Sequence, residues 1–209
     1  MTDEPRIQRL SQLCWQAVTT RPCIVSGTVI GFPEFCPSDT IVSDGRYDDH
    51  YPVLRYLDEA LKGAEKSGFG EISELFFQLP RELVRWSQNP AYNRDNCSQS
   101  LLDGYAYAPL SGPDGPIYAA APRGGFLLMG PNVFYPDHHH QPREFYLVLS
   151  GTIEWRLDEG EWFNVNAGSV IYHDSWVKHG MRTADEPVLT FVGWIEPGQR
   201  TAVQFTTSV

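Results

Sequence analysis

From about residue 117 onward the chain consists of short apolar runs broken at near-regular intervals by Gly, Pro, Asn and Asp. No other feature constrains the fold as much. Such runs are too short for helices and too closely punctuated to form one long buried segment. The spacing predicts strands over 125–129, 144–149, 152–157, 161–165, 169–172, 188–195 and 201–206. Ser150-Gly151 and Asp158-Glu159-Gly160 supply tight turns between them. Many short strands joined by tight turns make a sandwich or a barrel.

The first half has a different period. Over 6–18, Ile7, Leu10, Leu13, Cys14 and Ala17 form a helical stripe. Over 48–66, Tyr51, Leu54, Leu57, Ala60, Leu61 and Ala64 repeat it, and Gly68 stops it. A third stretch, 71–86, continues the pattern with a break at Pro80. Turn-rich pieces, Gly31-Phe32-Pro33 and Ser43-Asp44-Gly45, lie between. The expectation is a mainly β chain: an antiparallel β-barrel over 117–209 and a helical N-terminal cap over 1–116. The cap's apolar faces need the barrel, so the two form one structural unit.

A chain of 209 residues suffices for one well-buried core. Its net charge is −10 with no Lys/Arg cluster, which argues against nucleic acid and anionic membrane as partners. No apolar run approaches a membrane span. The acidic start, Met1-Thr2-Asp3-Glu4, does not read as a secretory signal, so a cytoplasmic location is expected. Cys14, Cys23, Cys36 and Cys97 lack metal-type spacing and read as buried thiols.

The chemistry concentrates in Asp137-His138-His139-His140-Gln141-Pro142-Arg143-Glu144-Phe145-Tyr146. In extended backbone, side chains alternate faces, so His138, His140, Glu144 and Tyr146 share one and His139 points away. Two imidazoles and a carboxylate on one face outline a divalent-metal site.

These residues carry a family resemblance. His138-x-His140-x-x-x-Glu144 followed by Gly151 resembles the first cupin motif. Gly160, then Asn166-Ala167-Gly168, then His179 resembles the second, with Asn166 where the family pattern has proline. The resemblance implies a jelly-roll barrel in which His138, His140, Glu144 and His179 hold one divalent transition metal. Fe2+, Zn2+, Mn2+, Ni2+ and Co2+ all suit that donor set, and sequence does not choose among them. It also implies a homodimer through barrel edges.

Within cupins, Tyr135-Pro-Asp-His138-x-His140-x-x-x-Glu144-x-Tyr146, with Trp155 and the segment Tyr172-His173-x-Ser175-x-x-x-His179, looks like the lyases that cleave dimethylsulfoniopropionate (DMSP). The resemblance implies β-elimination to dimethyl sulfide and acrylate from a small sulfonium carboxylate. It implies Tyr146 as the general base and Tyr135 as an orienting or alternative base. A sulfonium is a soft cation that aromatic faces attract. Trp155 and Trp176 are favoured by position for that role, with Tyr172 and His173 as further cavity candidates and Trp162, Trp194 and Phe134 behind them. Two other readings stand beside the lyase: another mononuclear cupin enzyme such as an iron-dependent dioxygenase, and a non-catalytic cupin that binds a small ligand.

Overall fold

The computed structural model describes residues 3–24, 50–119, 121–198 and 203–206. Cys36 and the turns read at Gly31-Phe32-Pro33 and Ser43-Asp44-Gly45 lie outside them.

Helix α1, Asp3–Thr19, buries Ile7, Leu10, Cys14, Trp15 and Val18, the stripe the spacing predicts. After one 3-10 turn opened by Pro52, α2 runs Leu57–Ala64 and α3 runs Gly70–Phe77. Between them the chain kinks at Gly68, whose φ of 91° lies in the left-handed region that glycine enters without steric cost. The expected helix over 71–86 is shorter than its pattern. It ends at Phe77, and Arg81–Leu83 forms a single 3-10 turn after Pro80, which cannot continue a helix. A short α4, Gln99–Gly104, starts where the Ser98 side chain accepts the Leu101 N–H at 3.1 Å.

Ten strands follow: β1 Tyr105–Ser111, β2 Arg123–Met129, β3 Phe134–His139, β4 Glu144–Ser150, β5 Thr152–Leu157, β6 Phe163–Asn166, β7 Val170–His173, β8 His179–Thr183, β9 Val188–Trp194 and β10 Gln204–Phe205. They form two antiparallel five-stranded sheets, β1-β2-β9-β4-β7 and β10-β3-β8-β5-β6. This is the cupin double-stranded β-helix with N-terminal helices. Strand β1 lies before residue 117 and was not expected. Pro109 interrupts its pattern, and an edge strand tolerates a proline that a central strand would not. The run over 201–206 contributes only Gln204–Phe205, and 201–202 are not among the described residues.

The first sheet is covered on both faces. Phe145, Leu147, Leu149, Leu189 and Phe191 pack outward against α1, α2 and α3 in one core cluster. Tyr146, Val148, Val188 and Val192 face inward with Ile153, Trp155 and Met181 in a second. Every residue of β4 and of β9 is buried, which is why these strands read as continuous apolar runs rather than an alternation. No helix among the described residues is long and apolar enough to cross a membrane.

Candidate metal centre and pocket

Strand register assembles the site. His138 on β3 and His179 on β8 are cross-strand partners in one sheet. In the other, Glu144 at the start of β4 is flanked by His173 on β7 and by Trp194 on β9, both its register partners. His140 lies just beyond the end of β3. Register slips between Tyr135 and His138, so both face the interior although they are three residues apart. The slip turns Asp137 toward an ion pair with Arg156. Gly180 leaves room for that carboxylate: a Cβ there would stand 2.3 Å from Asp137 Oδ1.

His138, His140 and His179 bring ring nitrogens within 4.8 Å of one another, and Glu144, His173 and His179 form a second such group. All five side chains are buried. The tautomers differ in an informative way. Nδ1 of His138 lies 2.9 Å from Pro136 O, Nδ1 of His140 2.9 Å from Pro142 O, and Nδ1 of His179 3.0 Å from Val177 O. A carbonyl only accepts, so in each ring Nδ1–H donates and Nε2 is left to the cluster; in His140 that Nε2 is hydrogen-bonded to Glu144 Oε2 at 3.1 Å, and a proton there makes the ring cationic. His173 is reversed. Trp155 Nε1–H donates to its Nε2 at 3.0 Å, so the proton sits on Nδ1, which faces Glu144 Oε2 at 3.7 Å. Three imidazoles therefore turn Nε2 into one cluster, His140 and His179 beside the Glu144 carboxylate and His138 beside those two rings, and His173 does not.

The donor set fits a divalent cation. Oε2 of Glu144 lies 3.1 Å from His140 Nε2 and 3.2 Å from His179 Nε2. His179 Nε2 is buried with no bond of hydrogen-bond geometry. Lone pairs converging on a carboxylate oxygen need positive charge among them. Without an ion, protonation responds as expected. Burial lowers His140, but Glu144 more than offsets this and holds it above its ordinary value. Burial, reinforced by neighbouring imidazoles, pushes His138 well down and His179 to about 4. His173 is lowered by burial. Burial would raise Glu144, yet the charge and hydrogen bond of His140 bring it well below the usual carboxylate range.

A cavity of about 90 Å³ opens onto this cluster. Drug-sized ligands need roughly 300–1,000 Å³, so this space suits a molecule of few heavy atoms. Tyr135 and Tyr146 both line it. Tyr135 O–H donates to Tyr92 Oη at 2.8 Å, and its ring lies 4.8 Å from that of His138. Tyr146 is pushed well above the ordinary phenol value by burial and then by Glu144.

The other expected cavity residues fare differently. Trp155 stands behind Tyr146, ring centroids 4.7 Å apart, and bonds His173; neither lines the cavity. Tyr172 faces the helical layer, because alternation on β7 cannot turn it and His173 the same way. Its hydroxyl donates to Asp174. Trp176 is 51% exposed beside His139, outside the cavity. The cavity's aromatic wall comes instead from Tyr92, Tyr105, Tyr107 and Trp194. Sequence reading missed Tyr105 and Tyr107 because β1 was missed, and Tyr92 because it lies in the irregular segment before α4. The alternation Tyr105-Ala106-Tyr107-Ala108 was the available signal.

Two antiparallel sheets closed around a buried His/Glu cluster define the chain as a cupin of the metal-binding type. Comparison with known proteins narrows this: the family model for dimethylsulfoniopropionate lyase (DMSP lyase) matches residues 39–190, and the chain belongs to that family. DddL of Cereibacter sphaeroides, assigned as a dimethylsulfoniopropionate lyase, is 29% identical over 152 residues, 71% of this chain and 61% of that protein. The dimethylsulfoniopropionate lyase DddQ of Ruegeria pomeroyi is 26% identical over 103 residues, 49% of this chain and 51% of that one. The chain thus spans between half and two thirds of these relatives. In fold, the crystal structure of DMSP lyase DddQ from Ruegeria pomeroyi superposes with a TM-score of 0.73 at 21% identity, covering 97% of both chains. A chain from the crystal structures of DMSP lyases RdDddP and RnDddQII gives 0.72 at 19%, covering 99% of this chain and 100% of that one.

Proposed function

We propose that this chain is a metal-dependent lyase that cleaves dimethylsulfoniopropionate to dimethyl sulfide and acrylate. One observation carries the reading beyond family membership: His138, His140 and Glu144 line the end of a small cavity walled by tyrosines, with His179 directly behind them in the same cluster. His138, His140, Glu144 and His179 are the proposed ligands. A divalent ion held there would neutralise charge developing next to the substrate carboxylate and favour ionisation of a neighbouring phenol.

Tyr146 is the proposed base. Its oxygen takes a proton from the carbon next to the carboxylate. The electrons of that C–H bond form the new C=C bond, and the C–S electrons leave with neutral dimethyl sulfide. Charge and atoms balance without an acid, because the leaving group is already neutral. Tyr135 is the proposed orienting residue, since its hydroxyl is engaged with Tyr92. Tyr92, Tyr105, Tyr107 and Trp194 offer π faces to the sulfonium, each worth about 0.5–2 kcal/mol. Cys14 and Cys97 form no disulfide among the described residues, which suits the reducing cytoplasm proposed as its location.

Headspace detection of dimethyl sulfide from metal-loaded protein and DMSP tests the reading. Release should proceed equally without oxygen, which an iron-dependent dioxygenase could not match. Absence of dimethyl sulfide with each of the five metals would sink it.

A further inference from the structure

Glu144 has two oxygens in different surroundings. Oε2 faces His140, His173 and His179. Oε1 accepts the indole N–H of Trp194 at 2.7 Å, inside the protein. The contact is written into the sheet. Glu144 and Trp194 are register partners on β4 and β9, and the Trp194 ring also packs 4.8 Å from that of His140. An N–H to carboxylate bond of this length is charge-assisted and strong. Tryptophan's nitrogen can only donate, so it cannot itself compete for a cation.

From this arrangement we propose that Trp194 is a positioning residue that reserves Glu144 Oε1 and makes Glu144 a one-oxygen metal ligand. The inference rests on the metal-site reading above. Its consequence is for the space around the ion. A carboxylate free to turn can take two coordination positions, whereas one tethered through Oε1 takes a single position and leaves the other to substrate. Removing hydrogen-bond partners of ligands commonly costs tenfold to a hundredfold in metal affinity or activity.

The test uses full-length protein loaded with Co2+, whose visible bands report coordination number. Trp194→Phe keeps an aromatic ring and deletes the donor. It should change the intensity and position of those bands, weaken Co2+ binding about tenfold, and raise KM for DMSP more than it lowers kcat. Leu189→Ala is the control. It lies on the same strand, faces the helices, and loosens the fold without touching Glu144; it should keep the parental bands. Parental bands in Trp194→Phe overturn the proposal whatever the affinity does, as do equal changes in Leu189→Ala. If Trp194→Phe does not fold, site-specific benzothienylalanine at position 194 replaces the N–H by sulfur at nearly constant shape, and the same criteria apply. A parental protein that binds no Co2+ overturns the metal reading itself. Bands that change as predicted in Trp194→Phe, when the parental protein releases no dimethyl sulfide, leave the positioning role standing and remove the lyase reading.

Discussion

Nδ1 of His140 donates to Pro142 O while Nε2 looks at Glu144, and that division of labour suits the ring to its proposed role as a ligand. His140→Ala should therefore remove the ion and leave the fold, read as metal content by elemental analysis against an unchanged circular-dichroism spectrum. A metal-rich His140→Ala protein would refute the ligand assignment. The tautomers were not legible in the sequence. Residue types and spacing predicted His138, His140, Glu144 and His179, and the structure brings all four together. His173 is set apart from them on paper only by the motif resemblance, and the indole bond from Trp155 shows that its Nε2 is spoken for. Tyr146 tests the chemistry at the same scale. Tyr146→Phe keeps the ring against Trp155 and deletes the ionisable oxygen. Turnover should fall roughly a hundredfold or more with metal content unchanged, as for loss of a positioned base. If Tyr135→Phe is dead and Tyr146→Phe is not, the roles of the two phenols exchange.

Period-2 alternation placed Glu144 and Tyr146 together on one face of β4, and the structure agrees because the first sheet is regular there. The same rule placed His138 and His140 correctly but could not place Tyr135, since the irregularity at Pro136 and Asp137 adds a residue to the count. Tyr172 and Trp176 stand outside the cavity for a different reason. Aromatic character does not specify which face of β7, or of the following turn, a residue occupies. Strand β4 also carries the packing between the helical segment and the first sheet. Phe145 is fully buried on the face opposite Glu144, against Trp15 of α1 and Phe191 of β9, at centroid distances of 5.2 and 5.8 Å. Phe145→Ala should cost about 3–5 kcal/mol in urea unfolding, the usual penalty for emptying such a site. A loss below 1 kcal/mol would mean the helices do not seal this sheet.

At the scale of the whole molecule, the site is a store of buried ionisable groups, so stability without metal must depend on pH. His138, His173 and His179 have lowered values because burial disfavours their charged forms. In the unfolded chain they bind protons below about pH 6.5. Between that pH and about 4, the folded value for His179, the unfolded state binds more protons, so stability falls as pH falls. Taken alone, His179 corresponds to about 3 kcal/mol across this window. Glu144 acts in the same sense at lower pH. Its folded value is depressed, so its contribution is present above the unfolded carboxylate value and lost as pH drops through the folded one. His140 opposes them. Its folded value is raised, so its contribution is complete below the unfolded value and disappears as pH rises through the folded one. Three histidines and a carboxylate outweigh one histidine. Thermal melts of chelator-treated protein should therefore show Tm dropping steeply between pH 6.5 and 4, and His179→Gln should flatten that slope by removing one of the groups responsible. Divalent metal should hold Tm higher near neutral pH, then lose its effect in the same acid range, because protons and the ion compete for the same three Nε2 lone pairs. A Tm that stays level or rises from pH 6.5 to 4 in the chelated protein would mean that these imidazoles are not buried in their neutral form, and the cluster could not then be the closed donor set that the fold assembles.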